Sequence, residues 1–165
     1  MPGGIVAGPE IGRPAPEFTL PGLVLRDGVA ERSDYSLAAH RGSPVVLAFY
    51  PGDETPVCTK QMCAYASELE QFNRLGAQVW GISPQDLDSH EKFARKDGLN
   101  FPLLADVDRA AIKAYGISVP GLGLRRSTFL VDAEGVLRWK NVSVLGLRFD
   151  SVDTLAREIA ALIPA

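Results

Sequence analysis

The sequence has little cysteine, two residues in 165, and no tract dominated by a single residue type. Two cysteines cannot build the disulfide framework that holds small secreted domains together, so a reducing, cytoplasmic setting is expected. Long apolar runs are also missing. The clearest, Val45 to Tyr50, falls far short of the roughly 20 residues that a membrane-spanning helix needs. Seventeen Lys plus Arg against twenty Asp plus Glu leave a net charge of −3, which gives no footprint for nucleic acid or an anionic membrane. Met1 to Gly12 holds neither an early cation nor an apolar stretch, so no secretory signal is expected. Histidine is scarce too: His40 and His90 are far apart, and Cys58 and Cys63 have no neighbouring ligand. A metal centre is therefore not expected. Phosphate and dinucleotide fingerprints are lacking, and Gly121-Leu122-Gly123 alone says little.

What is present is a chain of 165 residues, 46% of them hydrophobic, enough for one core. A single domain over 1–165 is expected, with 1–10 a loose leading segment. Gly and Pro punctuate it. Glu17 to Ala30 alternates around Pro21-Gly22 and Asp27-Gly28, which suggests a β-hairpin. Val45 to Tyr50 reads as a strand buried on both faces. Thr55-Pro56 then fits a helix cap with proline in the first turn. Met62, Tyr65, Leu69, Phe72 and Leu75 recur at helical spacing, predicting one helix of about five turns that ends at Gly76. Gln78 to Ser83 follows as a strand, completing a right-handed βαβ unit. Beyond it the pattern predicts a helix over Leu87 to Lys96, a strand at Pro102 to Leu104 and a short helix from Arg109 to Tyr115. A hairpin of Ser127 to Val131 with Val136 to Lys140 comes next, then a C-terminal helix striped by Val152, Leu155, Ile159 and Leu162. The fold class is α/β: a central mixed sheet flanked by helices, with a hairpin at its start.

In such sheets, sites form beyond the carboxyl ends of parallel strands. Here that place is Pro51 to Cys58. With Thr55 as the cap, Cys58 falls in the first helical turn, where backbone N–H groups and the positive end of the helix dipole stabilise negative charge on sulfur. A small, inert core side chain is the plain alternative for any cysteine. The polar loop before Cys58 argues for an anion site instead. Glu54 and Lys60 are read as surface residues.

The string Pro51-x-x-x-Thr55-x-x-Cys58, within FYPGDETPVCTKQMC, resembles the active-site signature of the peroxiredoxins, thiol peroxidases with a thioredoxin-like fold. Arg126 to Asp132 resembles that family's arginine-bearing strand, and Gly12 to Leu20 its usual start. The similarity runs from about Ile11 to about Ile163. It implies that Cys58 is the peroxidatic nucleophile, that Pro51 shields it, that Thr55 hydrogen-bonds the peroxide, and that Arg126 orients thiolate and substrate. Arg125 is the competing arginine, placed on the opposite face by strand alternation. The spacing Cys58-x4-Cys63 resembles the Q-type, or bacterioferritin-comigratory, subgroup, in which such a cysteine resolves the sulfenic acid. Cys63 also reads as a packed side chain beside the helix's apolar stripe.

The resemblance implies reduction of hydrogen peroxide and organic hydroperoxides as antioxidant defence, with no cofactor. Thioredoxin or a glutaredoxin-like protein is the expected reductant, and the molecule is expected as a monomer or homodimer. A one-cysteine peroxidase served by an external thiol and a non-catalytic peroxide sensor are the alternatives. On an ideal helix five residues separate the two Cα atoms by roughly 8–9 Å. A disulfide needs them within about 6.8 Å, so its formation requires local unwinding.

Overall fold

The structure, a computed structural model, describes residues 8–53, 55–119, 123–143 and 150–162. Glu54, residues 120–122 and the segment 144–149 lie outside the described residues, as do 1–7 of the expected leading segment. The chain opens with strands β1 (Thr19–Arg26) and β2 (Val29–Ser36), joined at Asp27-Gly28. Both turn residues have positive φ, 52° and 80°, which matches the twist of a tight hairpin. Pro21-Gly22, by contrast, lies inside β1. The missing Cβ at Gly22 lets the Tyr35 ring cross there: a Cβ would stand 2.7 Å from Tyr35 Cδ1.

Strand β3 (Val45–Phe49) is buried throughout and leads through Pro51 into α1 (Pro56–Ser67). The helix expected to run unbroken to Gly76 is in fact two. Glu68, at φ −110° and ψ 18°, separates α1 from α2 (Leu69–Arg74). The Ser67 hydroxyl donates to Ala64 O at 3.1 Å, competing with the Glu68 N–H for the same carbonyl. Such back-bonding bends helices, and here it ends one. The apolar spacing continues across the break because both helices cover the same sheet face. Gly76, at φ 73°, terminates α2 as expected, with Ala77 N donating to Phe72 O at 3.1 Å.

Next come β4 (Gln78–Ser83), α3 (Leu87–Asp97), β5 (Leu103–Ala105) and α4 (Ala110–Ala114). A small separate ladder, β6 (Ser118–Val119) with β7 (Gly123–Leu124), was not expected. Then β8 (Ser127–Val131), β9 (Leu137–Val142) and α5 (Val152–Ala160) close the order. Seven strands form one sheet in the order β2-β1-β5-β4-β3-β8-β9. In it β3, β4 and β5 are parallel, while β1 and β8 join them antiparallel.

Alternation along the strands divides the core in two. Val46, Ala48, Tyr50, Val79, Leu103 and Leu130 pack with α1, α2, α3 and α5. Val45, Leu47, Phe49, Trp80, Ile82 and Phe129 face the other way, against α4 and the β1–β2 hairpin. Among the described residues no helix is long and apolar enough to cross a membrane.

Candidate active site

The site sits where β3 gives way to α1. Thr55 caps the helix in extended backbone, and its Oγ1 accepts the Cys58 N–H at 3.3 Å. Pro56 occupies the first turn, where a missing N–H costs nothing. The Thr55 hydroxyl also lies 3.4 Å from Gly52 O, and Pro51 is half-buried beside it. Cys58 is completely buried, packed into the core face beneath α1. The loop before it is polar, as the sequence shows, but the helix turns the sulfur inward into the core.

What distinguishes Cys58 from an inert core thiol is its partner. Arg126 Nη2 lies 3.0 Å from Cys58 Sγ, and Arg126 is only 3% exposed. Its position follows from strand parity: Arg126 shares the phase of Thr128 and Leu130, the residues of β8 on the α1 side. Arg125 is exposed, although its phase is that of the buried Phe129 and Val131, because it lies before β8 begins. A buried guanidinium on a sulfur sets a fixed positive donor against the atom that would attack. The helix N–H groups contribute less directly than expected, because the Cys58 amide is taken by Thr55.

Gln61 went unnoticed in the sequence, although its spacing of three from Cys58 puts both on one helical face. It is fully buried, and its Oε1 accepts from Arg126 Nη1. Gln61 Nε2 in turn meets the Tyr65 hydroxyl at 3.2 Å, which donates to Asp150 O at 3.0 Å. Burial holds the Tyr65 phenol well above its ordinary range, so it remains a donor. The guanidinium is thus fixed from α1 at one nitrogen and meets the sulfur with another.

Cys63 lies one and a half turns further along α1, half-buried against the same core face, and both cysteines are free thiols. Burial, with a smaller contribution from the Asp97 carboxylate, raises the Cys63 thiol above its usual value. Among the described residues no cluster of three or more His, Cys, Asp or Glu could hold a metal ion. Lys60 is exposed. His90, which looked isolated in the sequence, is fully buried against Asp53 and Tyr50.

Comparison with known proteins places the chain in a family. The AhpC/TSA family model matches residues 11–140. Peroxiredoxin Bcp of Xanthomonas campestris pv. campestris is 39% identical over 144 residues, covering 81% of this chain and 86% of that protein. The chloroplastic peroxiredoxin Q of Oryza sativa subsp. japonica is 42% identical over 130 residues, 78% of this chain but 57% of the rice protein's length. Among solved structures, Xanthomonas campestris peroxiredoxin Q superposes with a TM-score of 0.71 at 32% identity, covering 86% of this chain and 90% of that one. Mycobacterium bovis AhpC, at 24% identity and a TM-score of 0.85 over 95% of this chain and 94% of its own, shares the fold. A family match over most of the length, and relatives near 40% identity, show that this chain belongs to the AhpC/TSA family, the peroxiredoxins.

Proposed function

We propose that this peroxiredoxin reduces hydrogen peroxide and small organic hydroperoxides with Cys58 as the attacking thiolate. The observation that carries the assignment is the 3.0 Å contact between the buried Arg126 guanidinium and Cys58 Sγ at the start of α1. Attack of S⁻ on the nearer peroxide oxygen breaks the O–O bond, oxidises the sulfur to sulfenic acid, and releases the other oxygen as an alkoxide or hydroxide that takes up a proton. Charge moves from sulfur to oxygen along that path, so fixed donors at both ends lower the barrier. Arg126 serves the sulfur, and the Thr55 hydroxyl, at the mouth of the helix, serves the peroxide. Pro51 walls the loop without offering a competing N–H.

In the second step the Cys63 thiol attacks the Cys58 sulfenic acid, forming a disulfide and releasing water. A continuous α1 holds the two residues too far apart for that bond, so its first turns must open. The raised Cys63 thiol suits such a sequence, since it stays protonated in the closed helix and gains reactivity when α1 releases it. An external dithiol then reduces the disulfide by exchange, itself ending oxidised. Thioredoxin or a glutaredoxin-like protein fits that role in the cytoplasm, with the peroxidase acting as a monomer or homodimer. The intact helix also favours a second reading, in which Cys63 is idle and an external thiol resolves Cys58.

Intact mass after one equivalent of peroxide separates these readings. A loss of two hydrogens that disappears in Cys63→Ser supports the disulfide, whereas a stable gain of one oxygen in the unaltered protein supports external resolution. Cys58→Ser must abolish peroxide consumption in a folded protein, and appreciable residual turnover would refute the assignment. Stoichiometric oxidation without turnover under any dithiol or monothiol would instead indicate a sensor.

A further inference from the structure

Behind the catalytic loop lies a buried polar cluster for which peroxide reduction, as described above, has no use. Its centre is Asp53, whose side chain is 1% exposed. Oδ1 accepts from the Tyr50 hydroxyl at 2.7 Å. Oδ2 accepts from Ser89 Oγ at 2.7 Å and meets His90 Nδ1 at 2.7 Å. The Asp53 N–H donates to Gln85 Oε1. That approach is close enough that a Cβ on neighbouring Gly52 would stand 3.2 Å from the same oxygen. On its far side, His90 Nε2 lies 2.9 Å from Leu104 O.

A carboxylate and a carbonyl are both acceptors, so each ring nitrogen of His90 faces a group that needs a hydrogen. The shorter of the two contacts, 2.7 Å, is the one to Asp53. Burial and the Asp53 carboxylate hold the Tyr50 phenol well above its ordinary range, which keeps that hydroxyl a donor as well. Such a network, satisfied at every atom, is rigid, and losing one member leaves the others buried without partners.

We propose that Asp53 and His90 are positioning residues for peroxide reduction. They fasten the loop from Pro51 to Thr55 to α3 and β5, and so fix where Thr55 and Pro51 stand relative to the Cys58 sulfur. The proposal rests on Cys58 being the nucleophile. Thr55 follows Asp53 by two residues and Pro51 precedes it by two, so a shift of Asp53 carries both with it. The bonds of Asp53 lead to Tyr50, to Gln85 before α3 and to Ser89 and His90 on α3, not to α1. Asp53 is therefore anchored independently of α1.

Two substitutions at one position test this. His90→Asn places an amide nitrogen where Nδ1 stood and keeps the bond to Asp53, while losing the one to Leu104. His90→Gln reaches toward Leu104 and leaves Asp53 without its partner. Both lose ring packing and lower the thermal midpoint. Single-turnover peroxide consumption by the reduced full-length protein should slow at least about tenfold in His90→Gln and stay within about threefold of the unaltered protein in His90→Asn. Equal losses in the two, or no loss in either, would overturn the proposal. Should either variant fail to fold, Ser89→Ala decides: it deletes one bond to Asp53 from a half-buried position, and should slow the same step about threefold with little change in midpoint. An unchanged rate in that variant would equally overturn the proposal. Failure of the unaltered protein to oxidise Cys58 would refute the nucleophile assignment itself, a different result from normal oxidation with an indifferent His90.

Discussion

Replacing Arg126 with alanine removes the group that sits on the sulfur of Cys58, the proposed nucleophile, and its effect can be bounded from the geometry. Two unit charges at the observed 3.0 Å, with an effective dielectric near 20, attract by about 5–6 kcal/mol. Water entering the space left by the side chain restores part of this. Loss of a single oriented donor from a shielded site typically costs about 10²–10³ in rate, or roughly 2.7–4 kcal/mol, consistent with that ceiling. We therefore expect Arg126→Ala to slow single-turnover oxidation of Cys58 by about 10²–10³. Stability should fall as well, by about 1–3 kcal/mol, because buried Gln61 Oε1 loses its donor. Arg125→Ala, at an exposed position just before β8, should change neither quantity appreciably. Rapid mixing with substoichiometric peroxide, followed by quenching and intact mass, reads the rate without interference from the resolving step. A greater loss in Arg125→Ala, or a loss below about fivefold in Arg126→Ala, would refute the argument that this guanidinium supports the thiolate.

Oxidation with one equivalent of peroxide should raise amide exchange sharply from about Thr55 to Ala66, while α2 beyond Glu68 and the sheet stay protected; unchanged exchange in α1 would favour external resolution. Alkylation of Cys63 in the reduced Cys58→Ser protein should titrate in at a pH above the ordinary thiol range, because burial first and Asp97 second disfavour its thiolate. Asp97→Asn should move that curve toward lower pH, and a curve at the ordinary position would contradict the packing of Cys63. At Asp132 burial opposes ionisation, but bonds from Arg138, Val136 N–H and Glu134 N–H outweigh it and hold the carboxyl below its usual value. A depressed carboxyl adds stability above the unfolded value near 3.9 and loses it as pH falls through the folded value. Asp132→Asn should thus cost about 1–2 kcal/mol at neutral pH, measured by urea unfolding, and almost nothing at strongly acid pH.

The elements that the sequence disclosed are those governed by local periodicity. The apolar run of β3, the Thr55-Pro56 cap, the Asp27-Gly28 turn and the alternation that separates Arg126 from Arg125 all follow from short stretches of neighbouring residues. The break at Glu68 did not, since Tyr65, Leu69 and Phe72 keep helical spacing through it and the cause is one hydroxyl bond from Ser67. Gln61 was accessible through its spacing from Cys58, yet its bond to Arg126 spans 65 residues and depends on the sheet bringing β8 beneath α1. Asp53 and His90 are 37 residues apart, and no repeat links a loop aspartate to a histidine on a later helix. Side chains that meet only through the tertiary fold leave no periodic trace.

The burial of Met62 and Tyr65 on α1 bears on the electron donor that the oxidised enzyme can use. If the proposed Cys58–Cys63 disulfide forms, opening α1 exposes both, and burying a large side chain is worth about 1.5–3 kcal/mol, so that the disulfide form would stand roughly 3–6 kcal/mol above an unstrained counterpart. For a two-electron couple, where about 30 mV corresponds to 1.4 kcal/mol, this raises the reduction potential by roughly 60–130 mV. A weaker dithiol therefore suffices to complete the cycle than a rigid disulfide would demand. Under that proposal, residues on the core side of one short helix, away from the peroxide, would set the range of reductants open to the enzyme.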